Sequence, residues 1–130
     1  MGGHLIHHEL CFGCGRANLF GLLVELERPR EGLVTGRCFI KQDHQGAQPG
    51  IAHDGIIAAA LSEAMSFACG SAMRATSLEL SIDGTARIGT YLELEAQTLD
   101  LPGGGFHASA TATLDDDPVA TARGTYEPAI

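Results

Sequence analysis

The sequence contains no tryptophan, and aromatic residues make up only 5% of its 130 residues. It is also poor in cations, with 8 Lys and Arg residues against 16 Asp and Glu residues and a formal net charge of -8. Because clustered Lys and Arg side chains hold nucleic-acid phosphates, this balance argues against nucleic-acid binding. The longest apolar run is interrupted by Ser62 and Glu63 and is too short to span a bilayer, so no membrane segment is expected.

A secretion signal is not recognisable either, because the N-terminus is rich in histidine and has no apolar run behind a charged start. The predicted location is therefore the cytoplasm, where the four cysteines are expected to be reduced thiols. The length fits one domain, which we predict over residues 1–130. The 17 glycines indicate tight turns and a core of small residues.

The pattern along the chain predicts an α+β protein. Residues 1–18 show no periodicity and are predicted to be irregular. Asp54 is a suitable N-cap for a helix over residues 55–71, which is apolar on nearly every side and should therefore be buried. Alternating apolar and polar residues predict strands over 20–27, 33–40, 76–82, 91–99, 106–114 and 119–126. This order favours one antiparallel sheet curled around one central helix.

Two segments carry a family resemblance. Residues 44–65 read HQGAQPGIAHDGIIAAALSEAM, and residues 11–22 read CFGCGRANLFGL. The combination resembles the hot-dog fold thioesterase superfamily, in particular its phenylacetate-pathway (PaaI-like) branch. In the upstream motif that branch usually has Pro where Leu19 stands here. The resemblance covers nearly the whole chain and implies the hot-dog fold, a curled antiparallel sheet wrapped around one long helix.

The resemblance implies a thioesterase that hydrolyses small to medium acyl-CoA thioesters, aromatic ones included. His53, Asp54 and Gly55 match a His-Gly-Gly motif that leads into the helix. In such enzymes a backbone N–H at this helix N-terminus polarises the thioester carbonyl, and here it would be that of Asp54 or Gly55. Coenzyme A enters only as part of the substrate, and no separate cofactor is expected.

The family's catalytic carboxylate normally lies nine residues after the histidine, where this chain has Ser62. The neighbouring Glu63 is acidic and is predicted to act as the base, with Ser62 assisting. A shift of one residue rotates a helical side chain by about 100°, so Glu63 cannot occupy the usual place without a local change in the helix.

Five further residues are candidates for substrate binding. They lie in the loop before the helix and at the start of the strand after it: Gln45, Gln48, Gly50, Thr76 and Ser77. Each also has a structural interpretation, since the glutamines could be solvated, the glycine could serve turn geometry, and the hydroxyl residues could simply begin a strand.

The resemblance also implies self-association. A single sheet of this kind leaves an edge exposed, and the family buries it by pairing sheets across a two-fold axis. We expect a homodimer or a dimer of dimers (a homotetramer), with each site at a subunit interface. The expected partners are thus acyl-CoA and a second copy of the chain.

Two other functions stay open. The absence of an acid at position 62 favours a protein that binds acyl-CoA without hydrolysing it. Cys11 and Cys14, with His7 or His8, could instead form a zinc site. No second cysteine or histidine pair follows at zinc-finger spacing, so no metal is expected. Cys38 and Cys69 are interpreted as small buried hydrophobic residues.

Overall fold

The structure, a computed structural model, describes residues 4–129. Residues 1–3, which belong to the segment predicted to be irregular, and Ile130 lie outside the described residues. The elements in chain order are β1 (Glu25–Arg30), β2 (Leu33–Phe39), a short 3-10 helix (Gln42–His44), α1 (Asp54–Cys69), β3 (Met73–Ile82), β4 (Tyr91–Leu99), β5 (Phe106–Leu114) and β6 (Asp117–Pro128).

The six strands form one antiparallel sheet in the order β1-β2-β4-β5-β6-β3. Alternate residues of β4 are buried, namely Leu92, Leu94 and Ala96, because successive side chains of a strand point to opposite faces. The predicted α+β class, with one curled sheet and one long helix, is confirmed.

Helix α1 packs against the buried face of this sheet. From Ile56 to Cys69 none of its residues is exposed, which confirms the expected burial. Strands β4, β5 and β6 place six buried alanines on the face toward the helix, so the sheet can approach the helix closely there; these alanines are Ala96, Ala108, Ala110, Ala112, Ala120 and Ala122. The small-residue core predicted from the composition is thus confirmed.

The first strand begins later than predicted. Residues 20–24 alternate in polarity, but Leu22 and Val24 donate backbone hydrogen bonds to the carbonyls of Phe12 and Gly13 rather than to β2. Leu23 between them has a φ of 52°, in the left-handed region, so the extended conformation is interrupted there. The alternation therefore reflects packing against the N-terminal segment, and β1 starts only at Glu25.

The predicted helix bounds also shift. The N-cap is His53 and not Asp54, because His53 has an extended backbone and its Nδ1 accepts a hydrogen bond from the Gly55 N–H. The helix ends at Cys69, two residues before the predicted end, where Gly70 donates to the Ser66 carbonyl at 3.1 Å.

The strands β4 and β5 have the predicted bounds, while β3 and β6 are longer than predicted. They pair with each other from Met73 opposite Pro128 to Ile82 opposite Ala120, so each extends the other. Within residues 4–129 no helix is both long and apolar enough to cross a membrane.

The two edges of the sheet differ. At the β1 edge, Leu5 of the N-terminal segment donates a backbone hydrogen bond to Leu26 at 2.9 Å. At the other edge, β3 is ten residues long and pairs on one side only, with β6. Its apolar residues Leu78 and Ile82 are 40% and 36% exposed. The β3 edge is therefore the open one.

Candidate functional site

The loop before α1 is tied to the rest of the domain by backbone hydrogen bonds. Ala52 donates to the Ala86 carbonyl and His53 donates to the His44 carbonyl, both at 2.8 Å. Gly46 lies so close to the backbone of His53 that a Cβ atom would collide with it. These contacts fix the position of His53 at the start of the helix.

The first turn of α1 leaves one backbone donor without a partner. The N–H of Gly55 is held by His53 Nδ1 at 2.7 Å, and the N–H of Ile56 donates to the His53 carbonyl at 2.9 Å. Within residues 4–129 the N–H of Asp54 donates to no other group. Because the positive end of the helix dipole lies here, this N–H is suited to stabilise a negatively charged oxygen.

A cleft of about 290 Å³ opens at this end of the helix. Its apolar wall includes Ile51 and Ile57, and its polar groups come from Gln48, Asp54 and Thr85. His53 also lines the cleft. Asp54 is the only carboxylate residue among the described lining residues. The cleft thus combines an apolar wall, a carboxylate and an unpartnered N–H.

Ser62 lies further along α1 and faces β6. Its Oγ is 2.9 Å from the hydroxyl of Tyr126, which in turn donates to the Ser62 carbonyl at 3.1 Å. Burial raises the pKa of Tyr126 to about 12, so the phenol is a neutral donor. At the position that matches the carboxylate of PaaI-like thioesterases, this chain therefore has a serine whose hydroxyl is paired with that of Tyr126.

Glu63 lies on another side of the helix, against the N-terminal segment. Its Oε2 is 2.9 Å from His7 Nδ1 and accepts a hydrogen bond from the Cys11 thiol at 3.5 Å. Burial raises the pKa of Glu63, but the hydrogen bonds from His7 and the two neighbouring thiols outweigh it and lower the pKa overall. The hydrogen bond to Glu63 raises the pKa of His7 despite its burial. The two side chains therefore form an ion pair.

This ion pair is part of a four-residue cluster. Its members are His7, Cys11, Cys14 and Glu63, and their ligand atoms all lie within 4.8 Å of one another. The His7 ring stacks on Phe67, with the centroids 4.0 Å apart and the planes at 12°. The sequence suggested His7 or His8 as partners of the two cysteines, and the structure places His7 beside them. Nothing in the sequence connected the cysteines with Glu63.

The two candidate areas are far apart within one chain. Glu63 is nine positions after Asp54, which is about 13.5 Å along a helix that rises 1.5 Å per residue. A carboxylate on the middle of α1 could therefore act at a helix N-terminus only if a second chain supplied it.

This chain resembles known proteins in its three-dimensional structure. The sequence matches no protein-family model and no curated protein. Among solved structures, the chain is similar to a thioesterase superfamily protein with a TM-score of 0.77 and 21% identity over 87% of this chain. The alignment spans 60% of that protein's length. The chain has the hot-dog fold.

Two other hot-dog structures align at similar levels. The PaaI protein of the E. coli phenylacetic acid degradation operon has a TM-score of 0.71 and 17% identity, over 80% of this chain and 82% of its own. Zebra fish thioesterase superfamily member 2 has a TM-score of 0.70 and 18% identity, over 79% and 80%. The resemblance to PaaI-like thioesterases therefore extends to the three-dimensional structure.

The loop residues predicted to bind substrate have different positions in this hot-dog domain. Gln48 lines the cleft. Gln45 is held at both ends of its amide, since it donates to the Gln42 carbonyl at 2.8 Å and accepts from the Gly50 N–H at 2.6 Å. Gly50 has a φ of +83° with open space around its Cα, so the turn geometry requires glycine there.

Thr76 and Ser77 do not reach the cleft of their own chain. They lie on β3, the open edge of the hot-dog sheet, where Thr76 occupies an irregularity in the pairing with β6. Its Oγ1 donates to the Thr125 carbonyl at 3.2 Å. Tyr126, which the sequence analysis did not single out, is the residue that engages Ser62; its only sequence signal is a large polar aromatic ring in a strand of small residues.

Proposed function

We propose that this chain is an acyl-CoA thioesterase that hydrolyses small to medium acyl thioesters, aromatic ones included. The observation that carries the proposal is the unpartnered N–H of Asp54 at the mouth of the α1 cleft. A thioester carbonyl oxygen placed at this N–H gains negative charge during attack on its carbon, and a fixed donor at a helix N-terminus stabilises that charge. Of the two donors that the sequence left open, Gly55 is already engaged by His53.

The carboxylate of Asp54 is our candidate for the general base. It belongs to the one acidic residue that lines the cleft among the described residues. A water molecule would give its proton to this carboxylate while its oxygen bonds to the thioester carbon. The resulting oxyanion then collapses, the carbon–sulfur bond breaks, and coenzyme A leaves as a thiolate that takes up a proton. His53 would act as a positioning residue that holds the first turn.

This assignment differs from the expectation that Glu63 is the base. Glu63 is only 12% exposed and is paired with His7. A carboxylate held in an ion pair has a lowered pKa and is a weak proton acceptor. Glu63 is also too far from Asp54 of its own chain to share a site with it. We therefore propose a different role for Glu63 below.

We further propose a homodimer, or a dimer of dimers, that forms through the β3 edge. An edge of ten residues with unpaired backbone groups and exposed Leu78 and Ile82 favours pairing with a second copy. Such pairing would bring Thr76 and Ser77 to the interface between subunits, where they could contact a substrate bound by the other chain.

A second candidate function is the binding of acyl-CoA without hydrolysis. The hydrogen bond between Ser62 and Tyr126 favours it, because position 62 then offers two neutral hydroxyl groups where the PaaI-like pattern has a carboxylate. The cleft and the Asp54 N–H would still hold a thioester carbonyl in such a protein.

The test measures free-thiol release from short, medium and aromatic acyl-CoAs by the parent and by Asp54→Asn, which keeps the backbone N–H. Asp100→Asn, on the exposed loop after β4, is the matched control. If Asp54 is the base, Asp54→Asn loses about 10²-fold or more in kcat and the control does not. Loss in Glu63→Gln alone would restore Glu63 as the base. Binding without thiol release by the parent would establish the second candidate.

A further inference from the structure

We propose that the four-residue cluster binds one zinc ion, which joins the N-terminal segment to the middle of α1. The cluster is remote from the cleft, and zinc binding there does not depend on hydrolysis. The sequence favoured no metal because no second ligand pair follows the cysteines at zinc-finger spacing. The structure selects His7, four residues before Cys11, and adds Glu63 from the helix as the fourth ligand.

Three of the six distances between the ligand atoms match a tetrahedral zinc site, and all six are within 4.8 Å. With zinc–sulfur bonds of about 2.3 Å and zinc–nitrogen or zinc–oxygen bonds of about 2.0–2.1 Å, a tetrahedron places sulfur about 3.5 Å from nitrogen or oxygen. His7 Nδ1 lies 3.6 Å from Cys11 Sγ and 3.5 Å from Cys14 Sγ. Glu63 Oε2 lies 3.5 Å from Cys11 Sγ.

One edge of the tetrahedron is shorter than zinc requires. His7 Nδ1 and Glu63 Oε2 are 2.9 Å apart, whereas two such ligands on zinc would be separated by about 3.3 Å. The imidazole and the carboxylate would move apart by only about 0.4 Å as the ion replaces the proton between them. The side chains of His7 and Glu63 are 16% and 12% exposed, so the cluster lies just below the protein surface.

The chemistry of the donors selects the ion. Two thiolates, one imidazole and one carboxylate are zinc ligands, and thiolates disfavour magnesium and calcium. Four protein donors also leave no open position for water, which is typical of a structural rather than a catalytic zinc site. The ion would thus stabilise the fold, and Glu63 would serve as a ligand and not as a base.

The surroundings of the cluster are built to hold it. The backbone N–H of His7 donates to Cys14 Sγ at 3.1 Å, an arrangement that stabilises a thiolate. Gly13, between the cysteines, leaves the space that the Glu63 carboxylate occupies, because a Cβ at this position would collide with that carboxylate. A Cβ on Gly15 would likewise collide with the Glu9 carbonyl. The Cys-Phe-Gly-Cys-Gly sequence therefore shapes a loop that closes on the helix.

The first experiment measures metal content by mass spectrometry in full-length chain purified without a histidine tag or chelator. We expect one zinc per chain. We also expect Cys11→Ser and Cys14→Ser to weaken zinc binding, measured by chelator competition, by more than the 10–100-fold typical of an outer-shell partner. Cys69→Ser is the matched control, because this half-buried thiol lies on α1, the helix that carries Glu63, but outside the cluster. The Cys69→Ser protein should still bind one zinc ion.

A second measurement needs no variant and so does not depend on the folding of one. The metal-free parent, titrated with Co²⁺, should develop a thiolate-to-cobalt charge-transfer absorption and the intense visible bands of a tetrahedral ion. A parent that binds neither Zn²⁺ nor Co²⁺ would overturn the proposal. So would zinc binding by Cys14→Ser that is as tight as that of the parent, or another metal in place of zinc. Bound zinc in a protein without thioesterase activity would support the zinc site and contradict only the proposed hydrolysis. Hydrolysis by a protein that binds no zinc would contradict only the zinc site.

Discussion

His53 and Gly55 are joined by a 2.7 Å hydrogen bond in which the Gly55 N–H donates to the His53 Nδ1. In the neutral ring the proton is therefore on Nε2. The bond removes one of the two candidate donors from the helix N-terminus and leaves the Asp54 N–H. The His53 side chain thus determines which backbone N–H stays free at the start of the helix.

This cap predicts the behaviour of two substitutions at His53. His53→Ala removes the acceptor and should lower the free energy of unfolding by about 1 kcal/mol, the usual cost of losing an N-cap. His53→Asn keeps a short side-chain acceptor and should retain most of that stability. Urea denaturation followed by circular dichroism measures both. Equal losses in the two variants would show that the ring contributes through packing and not through the cap.

The hydrogen bond between Ser62 and Tyr126 should contribute to the free energy of unfolding, and a double-mutant cycle measures that contribution. Tyr126→Phe removes two hydrogen bonds of a largely buried hydroxyl and should cost about 1–2 kcal/mol in unfolding free energy. Tyr91→Phe, on an exposed position of β4, is the matched control and should cost little. In a double-mutant cycle, Ser62→Ala combined with Tyr126→Phe should cost less than the sum of the two single changes. Strict additivity of the two changes would contradict the pairing.

Removal of zinc should destabilise the parent. A ligand present at 100 times its dissociation constant adds about 2.7 kcal/mol to the folded state, so EDTA should lower the melting temperature by about 10 °C. The same treatment should leave Cys14→Ser unaffected, because its site is already broken. Differential scanning calorimetry with and without EDTA measures this. A parent whose melting temperature ignores EDTA and added Zn²⁺ would argue that the cluster stays metal-free.

The buried His44 predicts a pH dependence of stability. Burial lowers its pKa, and the nearby positive charge of Lys41 lowers it further. The unfolded chain therefore binds a proton near its ordinary value of 6.5 while the folded chain does not, so stability falls as the pH drops below about 6.5. His44→Gln should show a shallower loss between pH 7 and pH 5 in urea titrations. A parallel loss in both proteins would assign the effect to other groups.

The open β3 edge predicts a change in assembly. Ile82→Lys places a charge on this edge and should shift the chain toward monomers, as charged residues on edge strands oppose pairing. Leu101→Lys introduces the same charge on an exposed loop and is the control. Sedimentation velocity compares the two. A parent that is already monomeric at all accessible concentrations would contradict the proposed dimer.

The sequence predicted those parts of the fold that depend on local patterns. The bounds of β4 and β5 are correct because their residues alternate regularly and glycine and proline follow β4. The predicted start of β1 was wrong. Leu22 and Val24 belong to an alternating pattern typical of a strand, but their backbone N–H groups donate to carbonyls of the N-terminal segment. Alternating polarity indicates which side chains are buried, but it does not show which segment supplies the backbone hydrogen-bond partners.

The candidate site was predictable only in part for the same reason. The motif around His53 is continuous in sequence and led directly to the helix N-terminus. The contacts that distinguish Ser62 from Glu63 are not local, since Tyr126 is 64 residues from Ser62 and His7 is 56 residues from Glu63. The 100° between neighbouring helix positions sends the two side chains to different surroundings, which only the packed structure specifies.

The hydrogen bond from Leu5 to Leu26 limits how far this sheet can grow. It occupies the carbonyl of Leu26, the second residue of β1, and Pro29 further along that strand has no N–H to offer a neighbour. In the proposed dimer, which would join two chains through like β3 edges, both outer boundaries of the combined sheet would be β1 strands with these two features. A further strand would find fewer free hydrogen-bonding groups there than at the β3 edge, which would favour a closed particle over a fibre.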